Sequence, residues 1–179
     1  MGKPKSFRKA PRPRRTGNAN EAPLFIWDFE QCDSSKCSGR KLVRFNKIEQ
    51  LNVKQHGRGV VLSPLAGTFL SLADRDIILS RGLTVVDCSW NRIDEIPFDR
   101  LHTGRERKLP FIIAANPTHY GRPYELSCVE ALAFSLFLVG LQEQAADILS
   151  IFKWGQSFLD LNRELLEFYL KRGTDSSAI

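Results

Sequence analysis

The order of apolar runs, helix signals and chain breaks predicts an α/β N-terminal half followed by an all-helical C-terminal half. Three observations carry that reading. LFIWDF (24–29) and GVVLS (59–63) are short runs rich in aromatic and β-branched residues and bounded by turn formers, the pattern of buried strands. LADRDIILSRG places Leu72, Asp76, Ile77, Leu79 and Ser80 at helical spacing until Gly82 and runs straight into LTVVDCSW, a helix followed by a strand. From residue 127 the spacing turns helical and stays so to Gly173, and the boundary between the halves is placed near Leu109.

Taken in order, residues 1–20 read as a disordered basic tail. KPKSFRKAPRPRRTGNAN is rich in Pro and Gly and nearly free of large apolar side chains, so it cannot bury enough surface to offset its ordering entropy. Residues 21–108 form the α/β half. PFIIAANP (110–117) is read as one more strand, ending at Asn116 and Pro117 because proline cannot continue a ladder. In the helical half, 109–172, Ser127 and Glu130 have capping-box spacing, Gly140 stands where a helix C′ glycine would, and QAADILSIF and FLDLNRELLEFYLKRG make 127–172 all helix. Residues 173–179 are expected to be a flexible C-terminus. The 179 residues, 42% hydrophobic, suffice for one core of ordinary size or for two small halves that share an interface.

The formal charge of +6 belongs to the tail. Residues 1–20 hold Lys3, Lys5, Arg8, Lys9, Arg12, Arg14 and Arg15 and no acid, which leaves 19 basic and 20 acidic residues for the remainder. Such an arm meets phosphate with strong, salt-sensitive affinity, or serves as a solubility or import tail. Residues 2–20 lack the apolar region of a secretory signal, and the longest apolar run, ALAFSLFLV (131–139), is too short to span a bilayer. A protein of the cytoplasm or nucleus, without membrane contact, is expected. Thiols stay reduced there, so Cys32, Cys37, Cys88 and Cys128 are not a disulfide framework.

QCDSSKCSG (31–39) raises the question of a metal site. Zinc sites of this type need two such pairs, whereas here one C-x4-C stands alone and His56, His102 and His119 fall in separate loops. Asp, Ser and Gly around the cysteines favour instead a tight turn that directs backbone N–H groups and the Ser38 hydroxyl inward from a strand end. In VVDCSW, Asp87 and Trp90 lie at the carboxyl end of a strand, where α/β sheets bind ligands; an N-capping Asp and a core Trp are the structural alternative. The loop AANPTHYGRPYELSCVEA adds Asn116, Tyr120, Tyr124 and Cys128. G-x-G-x-x-G, P-loop and G-x-S-x-G motifs are absent.

DFEQCDSSKCSGRKL, VVLSP, GLTVVDCSW, LPFIIAANPTHYGRPYELSCVEALA and FKWGQSFLDLNRELLEFY, in this order over about residues 24–172, together closely resemble the ribosome-biogenesis family of rRNA aminocarboxypropyltransferases. The resemblance implies an enzyme that moves the 3-amino-3-carboxypropyl group of S-adenosylmethionine to a ring nitrogen of a methylated pseudouridine in small-subunit rRNA of pre-ribosomal particles. It implies a SPOUT-like fold with a trefoil knot; a monomer is expected. By motif, Ser38 would meet the methionine portion of the cofactor, and Leu62, Val86, Trp90, Leu109, Tyr124 and Cys128 would wrap its adenosine. Asp87 is the candidate general base for the acceptor nitrogen, with Arg40, Lys41, Arg105, Arg107 and Lys108 as phosphate contacts around the cleft. The region of the two cysteines is also similar to a small module linked to iron and sulfur, but its remaining ligands are missing, so no metal is expected. Two departures stand out: several eukaryotic members have CDP where this chain has CDS, and carry a long charged C-terminal extension. A SPOUT-type methyltransferase and a non-catalytic assembly factor are the rival readings.

Overall fold

The computed structural model describes residues 20–31, 33, 36–52, 54–98 and 103–174. The basic tail, Cys32, His102 and the last five residues lie outside that set. Its centre is a five-stranded parallel sheet: β1 (Leu24–Asp28), β2 (Glu49–Leu51), β3 (Val60–Leu62), β4 (Leu83–Asp87) and β5 (Glu106–Arg107), in the order β2-β1-β4-β3-β5. The runs read as buried strands become β1, β3 and β4. Their near-continuous apolar character follows from coverage on both faces, as parallel sheets require.

Side-chain alternation sorts the strands into two cores. Leu24, Ile26, Leu83 and Val85 face the helical layer, while Phe25, Trp27 and Val61 face a smaller cluster with Leu51 and Ile96. Asp87 falls on the same face as Leu83 and Val85 and therefore points toward the helices.

The helices are α1 (Ser38–Arg44), α2 (Arg75–Arg81), α3 (Cys128–Leu138), α4 (Gln142–Ser150), α5 (Gly155–Leu161) and α6 (Arg163–Arg172). Helix α2 follows a 3-10 turn, Leu72–Asp74, and ends at Gly82 with φ 95, a conformation that costs glycine no Cβ clash. Helix α3 is apolar nearly all round, as a central helix must be, and one contiguous core joins it to β1, β4, α4 and α6. It begins with the expected capping box of Ser127 and Glu130, and Gly140 (φ 74) follows it. The helical stretch is broken at 139–141, the stop that Gly140 predicts, and also at 151–154 and at Asn162, which divides it into four helices.

Two expectations require correction. PFIIAANP is not a strand of the sheet: it forms only an isolated bridge, Ile113 to Pro123. Its amide donors go elsewhere, Ile113 N to Asn162 Oδ1 (3.0 Å), Ala114 N to Arg122 O (2.9 Å), and Ala115 N and Asn116 N to Glu130 Oε1 (2.7 and 2.9 Å). An extended apolar segment needs partners for its amides, and here the Asn162 and Glu130 side chains and the Arg122 carbonyl provide them in place of a neighbouring strand of the sheet. The second concerns QCDSSKCSG. The turn exists, with Lys36 N and Cys37 N donating to Asp33 O, but Cys37 then caps α1, so Ser38 opens a helix rather than ending a loop.

Candidate active site

A cavity of about 940 Å³ lies at the carboxyl ends of β1, β3 and β4, where open parallel sheets bind ligands. Ser38, Leu62, Val86, Asp87, Trp90, Leu109, Tyr124 and Cys128, all singled out in the sequence, line it together. They come from α1, β3, β4, the 3-10 turn Trp90–Glu95, the segment 107–127 and the start of α3.

The closest set of polar contacts surrounds Asp87, which is 3% exposed. The thiol of Cys37 donates to its Oδ2 at 2.8 Å and that of Cys128 to its Oδ1 at 3.3 Å. Cys37 in turn accepts the amide of Arg40 at 3.3 Å, the cap of α1. Burial, aided by the neighbouring Asp87 carboxylate, pushes the Cys37 thiol up to about 12, so it is a proton-bearing donor at neutral pH. Burial beside Asp87 likewise lifts Cys88 to about 11.

Asp28 stands in register with Asp87 on β1. Burial works against its charge, but the Arg40 guanidinium, in a forked pair at 2.7 and 3.1 Å, holds its carboxyl below the usual range. Two adjacent strand-end carboxylates are thus treated differently, Asp28 being neutralised by Arg40 while Asp87 faces the cavity.

Helices α1 and α3 meet at their N-termini over this site. Val129 N donates to Ser38 Oγ at 3.2 Å. Gly39 lets α1 sit close on β1, since a Cβ there would come within 2.3 Å of Ile26 Cδ1. Across the cavity Trp90 is half-buried and its Nε1 donates to Leu126 O at 3.1 Å. Tyr124 is 53% exposed, its backbone is in the left-handed region (φ 63), and its ring meets Phe111 edge-on at 5.6 Å.

The segment 115–127 is held by Glu130, which is fully buried. Its carboxylate accepts Ala115 N, Asn116 N, Asn116 Nδ2, Ser127 N and Ser127 Oγ at 2.7–2.9 Å. Asn116 also accepts His119 N, and His119 Nδ1 faces Glu125 Oε2.

Sequence reasoning missed several lining residues. Cys37 reads as a turn residue from its neighbours alone, and Phe152 and Trp154 come from the break between α4 and α5, which carries no local motif of its own. Of the five basic residues expected around the cleft, Lys41, Arg107 and Lys108 line the cavity. Lys41 donates to Ile151 O and lies over the Phe152 ring, and Arg107 pairs with Asp74. Arg40 is committed to Asp28, and Arg105 lies at the other end of the sheet. Tyr120 is exposed and away from the cavity lining. Among the described residues no group of three or more His, Cys, Asp or Glu is arranged to hold a metal.

A parallel sheet covered by helices, with a large apolar and aromatic cavity at its carboxyl edge and one buried carboxylate inside, defines an α/β ligand-binding domain. Comparison with known proteins makes this specific. The family model "Ribosome biogenesis protein, C-terminal" matches residues 60–179, and the model "Possible Fer4-like domain in RNase L inhibitor, RLI" matches residues 22–56. The 16S rRNA aminocarboxypropyltransferase of Methanothermobacter thermautotrophicus is 44% identical over 149 residues, 82% of this chain and 88% of that protein. The enzyme of the same name from Sulfurisphaera tokodaii is 43% identical over 82% of this chain and 85% of its own length. The 18S rRNA aminocarboxypropyltransferase of Saccharomyces cerevisiae is 44% identical over 156 residues, 87% of this chain; the chain spans about half, 50%, of that relative's length. Among solved structures, the SAM-dependent rRNA:acp-transferase Tsr3 from Vulcanisaeta distributa superposes with a TM-score of 0.78 at 38% identity, covering 86% of this chain and 85% of that one. The chain belongs to the ribosome-biogenesis family of small-subunit rRNA aminocarboxypropyltransferases.

Proposed function

We propose that this protein is an S-adenosylmethionine-dependent rRNA aminocarboxypropyltransferase acting on a methylated pseudouridine of small-subunit rRNA within pre-ribosomal particles. The observation that carries the reading is Asp87, a buried carboxylate at a strand end, oriented by two thiols into a cavity lined by Trp90 and aliphatic side chains. The residues suit the cofactor: the cavity has room for a nucleoside, apolar walls for its rings, and a carboxylate for its positive charge.

When bound, S-adenosylmethionine supplies a sulfonium with three electrophilic carbons, of which the one bearing the 3-amino-3-carboxypropyl chain is transferred and methylthioadenosine leaves. Leu62, Val86, Trp90, Leu109, Tyr124 and Cys128 hold the nucleoside, and Ser38 the methionine end. By fixing orientation they choose the carbon that faces the acceptor nitrogen. An oxygen of the Asp87 carboxylate takes the proton from that nitrogen as the new N–C bond forms, a contribution of roughly 10² to 10⁴-fold in rate. Lys41, Arg107 and Lys108, which line the cavity, contact phosphate. With this function goes a SPOUT-like knotted monomer working in the cytoplasm, with the nucleus as the alternative compartment. No helix of the described residues is long and apolar enough to cross a membrane.

The test is transfer from S-adenosylmethionine isotopically labelled separately in the methyl and in the carboxypropyl group, with small-subunit rRNA as acceptor. Carboxypropyl label in the RNA with release of methylthioadenosine is expected. Methyl label in the RNA, or cofactor binding with no transfer at all, overturns the proposal.

A further inference from the structure

The amino ends of the strands carry a feature that the cavity does not use. Arg58 and Gly59 precede β3, Arg81 and Gly82 precede β4, and Arg105 precedes β5. Since β4, β3 and β5 are parallel neighbours, the three arginines are brought side by side, around a hollow of about 350 Å³ that Gly57 and Gly59 also line. The glycines let the strand starts pack closely: a Cβ on Gly59 (φ 64) would stand 1.7 Å from Gly82 O, and one on Gly57 would stand 2.5 Å from the Trp27 ring.

Arg58 is preset for a ligand. Its guanidinium lies 5.0 Å from the Phe25 ring centroid, and its backbone exchanges two hydrogen bonds with Thr84 Oγ1, at 3.1 and 2.7 Å. Its only carboxylate among the described residues is Glu49 at 3.5 Å, a half-exposed pair that contributes little and that an anion can replace. Arg81 and Arg105 form no ion pair among the described residues, and Arg81 is exposed. Three guanidiniums against one carboxylate repel one another, and a bound anion relieves that repulsion. The guanidinium fork matches the oxygens of a phosphate.

We propose that this hollow binds a backbone phosphate of RNA, from a segment other than the one presenting the acceptor base. This rests on the reading of the chain as an rRNA-modifying enzyme. Strands of three to five residues separate the hollow from the cavity by roughly 10–17 Å at about 3.3 Å per residue. The two ends of the sheet therefore hold separate stretches of a folded RNA, and the second contact fixes the register of the first. Because Arg81 lies on the open surface, the site suits a phosphodiester passing across it better than an enclosed monoester.

The experiment compares the full chain with its Arg81→Ala/Arg105→Ala variant, using a small-subunit rRNA fragment over a range of salt. The expected result is several-fold weaker RNA binding near physiological salt and a log–log salt slope shallower by about 0.7–0.9 for each phosphate no longer neutralised, with S-adenosylmethionine affinity and melting temperature unchanged. Equal slopes for the two proteins overturn the proposal while leaving the enzymatic reading intact. Wild-type protein that transfers nothing and binds no RNA overturns both. If the substitutions abolish only binding of inorganic phosphate at matched ionic strength, or of phosphatidylserine vesicles, the hollow is a free-anion or lipid site and the proposal fails.

Discussion

Cys37 Sγ lies 2.8 Å from Asp87 Oδ2, so the residue that caps α1 also orients the carboxylate at the end of β4. Raised to about 12 from 9.0, the folded thiol keeps its proton after the unfolded one has lost it. Below about pH 9 both states are protonated and the difference is silent. Between 9 and 12 the unfolded state holds fewer protons, so stability falls as pH rises. Cys88, raised to about 11, and Tyr169, raised to about 12, act in the same direction. Melting temperature should fall over this window, and less steeply in Cys37→Ala. Parallel curves for the two proteins would show that the thiol titrates no differently when folded.

Asp87→Asn keeps shape but cannot take a proton. If Asp87 is the base, cofactor and RNA affinities should persist while single-turnover transfer at saturating cofactor falls roughly tenfold or more. If the carboxylate only attracts the sulfonium, calorimetric affinity should fall as well. Near wild-type transfer would remove Asp87 from the chemistry.

Trp90→Ala removes an aromatic wall of the cavity and its tie to Leu126 O. Burying such a ring against a ligand is worth about 1.5–3 kcal/mol, so S-adenosylmethionine affinity should drop by roughly tenfold or more. Calorimetry on the two proteins decides it, an unchanged dissociation constant placing the ring away from the ligand.

Glu130→Ala would leave three amide donors and the Asn116 and Ser127 side chains without their acceptor. Breaking a buried charged network of this kind costs about 3–5 kcal/mol. Urea unfolding should show a lower midpoint with unchanged slope, their product falling by that amount. Because 115–127 frames the cavity, cofactor affinity should weaken in the same variant.

The match of residues 22–56 to a Fer4-like module invites a metal assay. Cys37 uses its thiol on Asp87, and the expectation is purified protein free of stoichiometric iron or zinc. One equivalent of either metal by elemental analysis would reassign Cys32 and Cys37 as ligands.

Much of this molecule was legible locally. Strands β1, β3 and β4 announced themselves because a parallel strand covered on both faces must be apolar throughout. The helix stops at Gly82, Gly140 and Gly173 were visible because each has a positive φ that glycine adopts without strain. The capping box of Ser127 and Glu130 was visible from spacing alone. The site residues were named through motif resemblance, and the fold brings all eight to one cavity.

What the sequence by itself determined was therefore the set of elements and the chemistry available at their ends. The tertiary structure decided who meets whom: Asp87 takes thiols from 50 residues before it and 41 after, Ser38 meets an amide 91 residues on, and Glu130 rather than a neighbouring strand receives the amides of 115 and 116. It also decided that Arg58, Arg81 and Arg105 share one hollow, and that β2, α1 and β5 exist. The reason is physical. An apolar run reports burial and a glycine reports a dihedral, both local properties, whereas a hydrogen-bond partner or a strand's neighbour is fixed by the packing of distant segments, which local pattern does not encode.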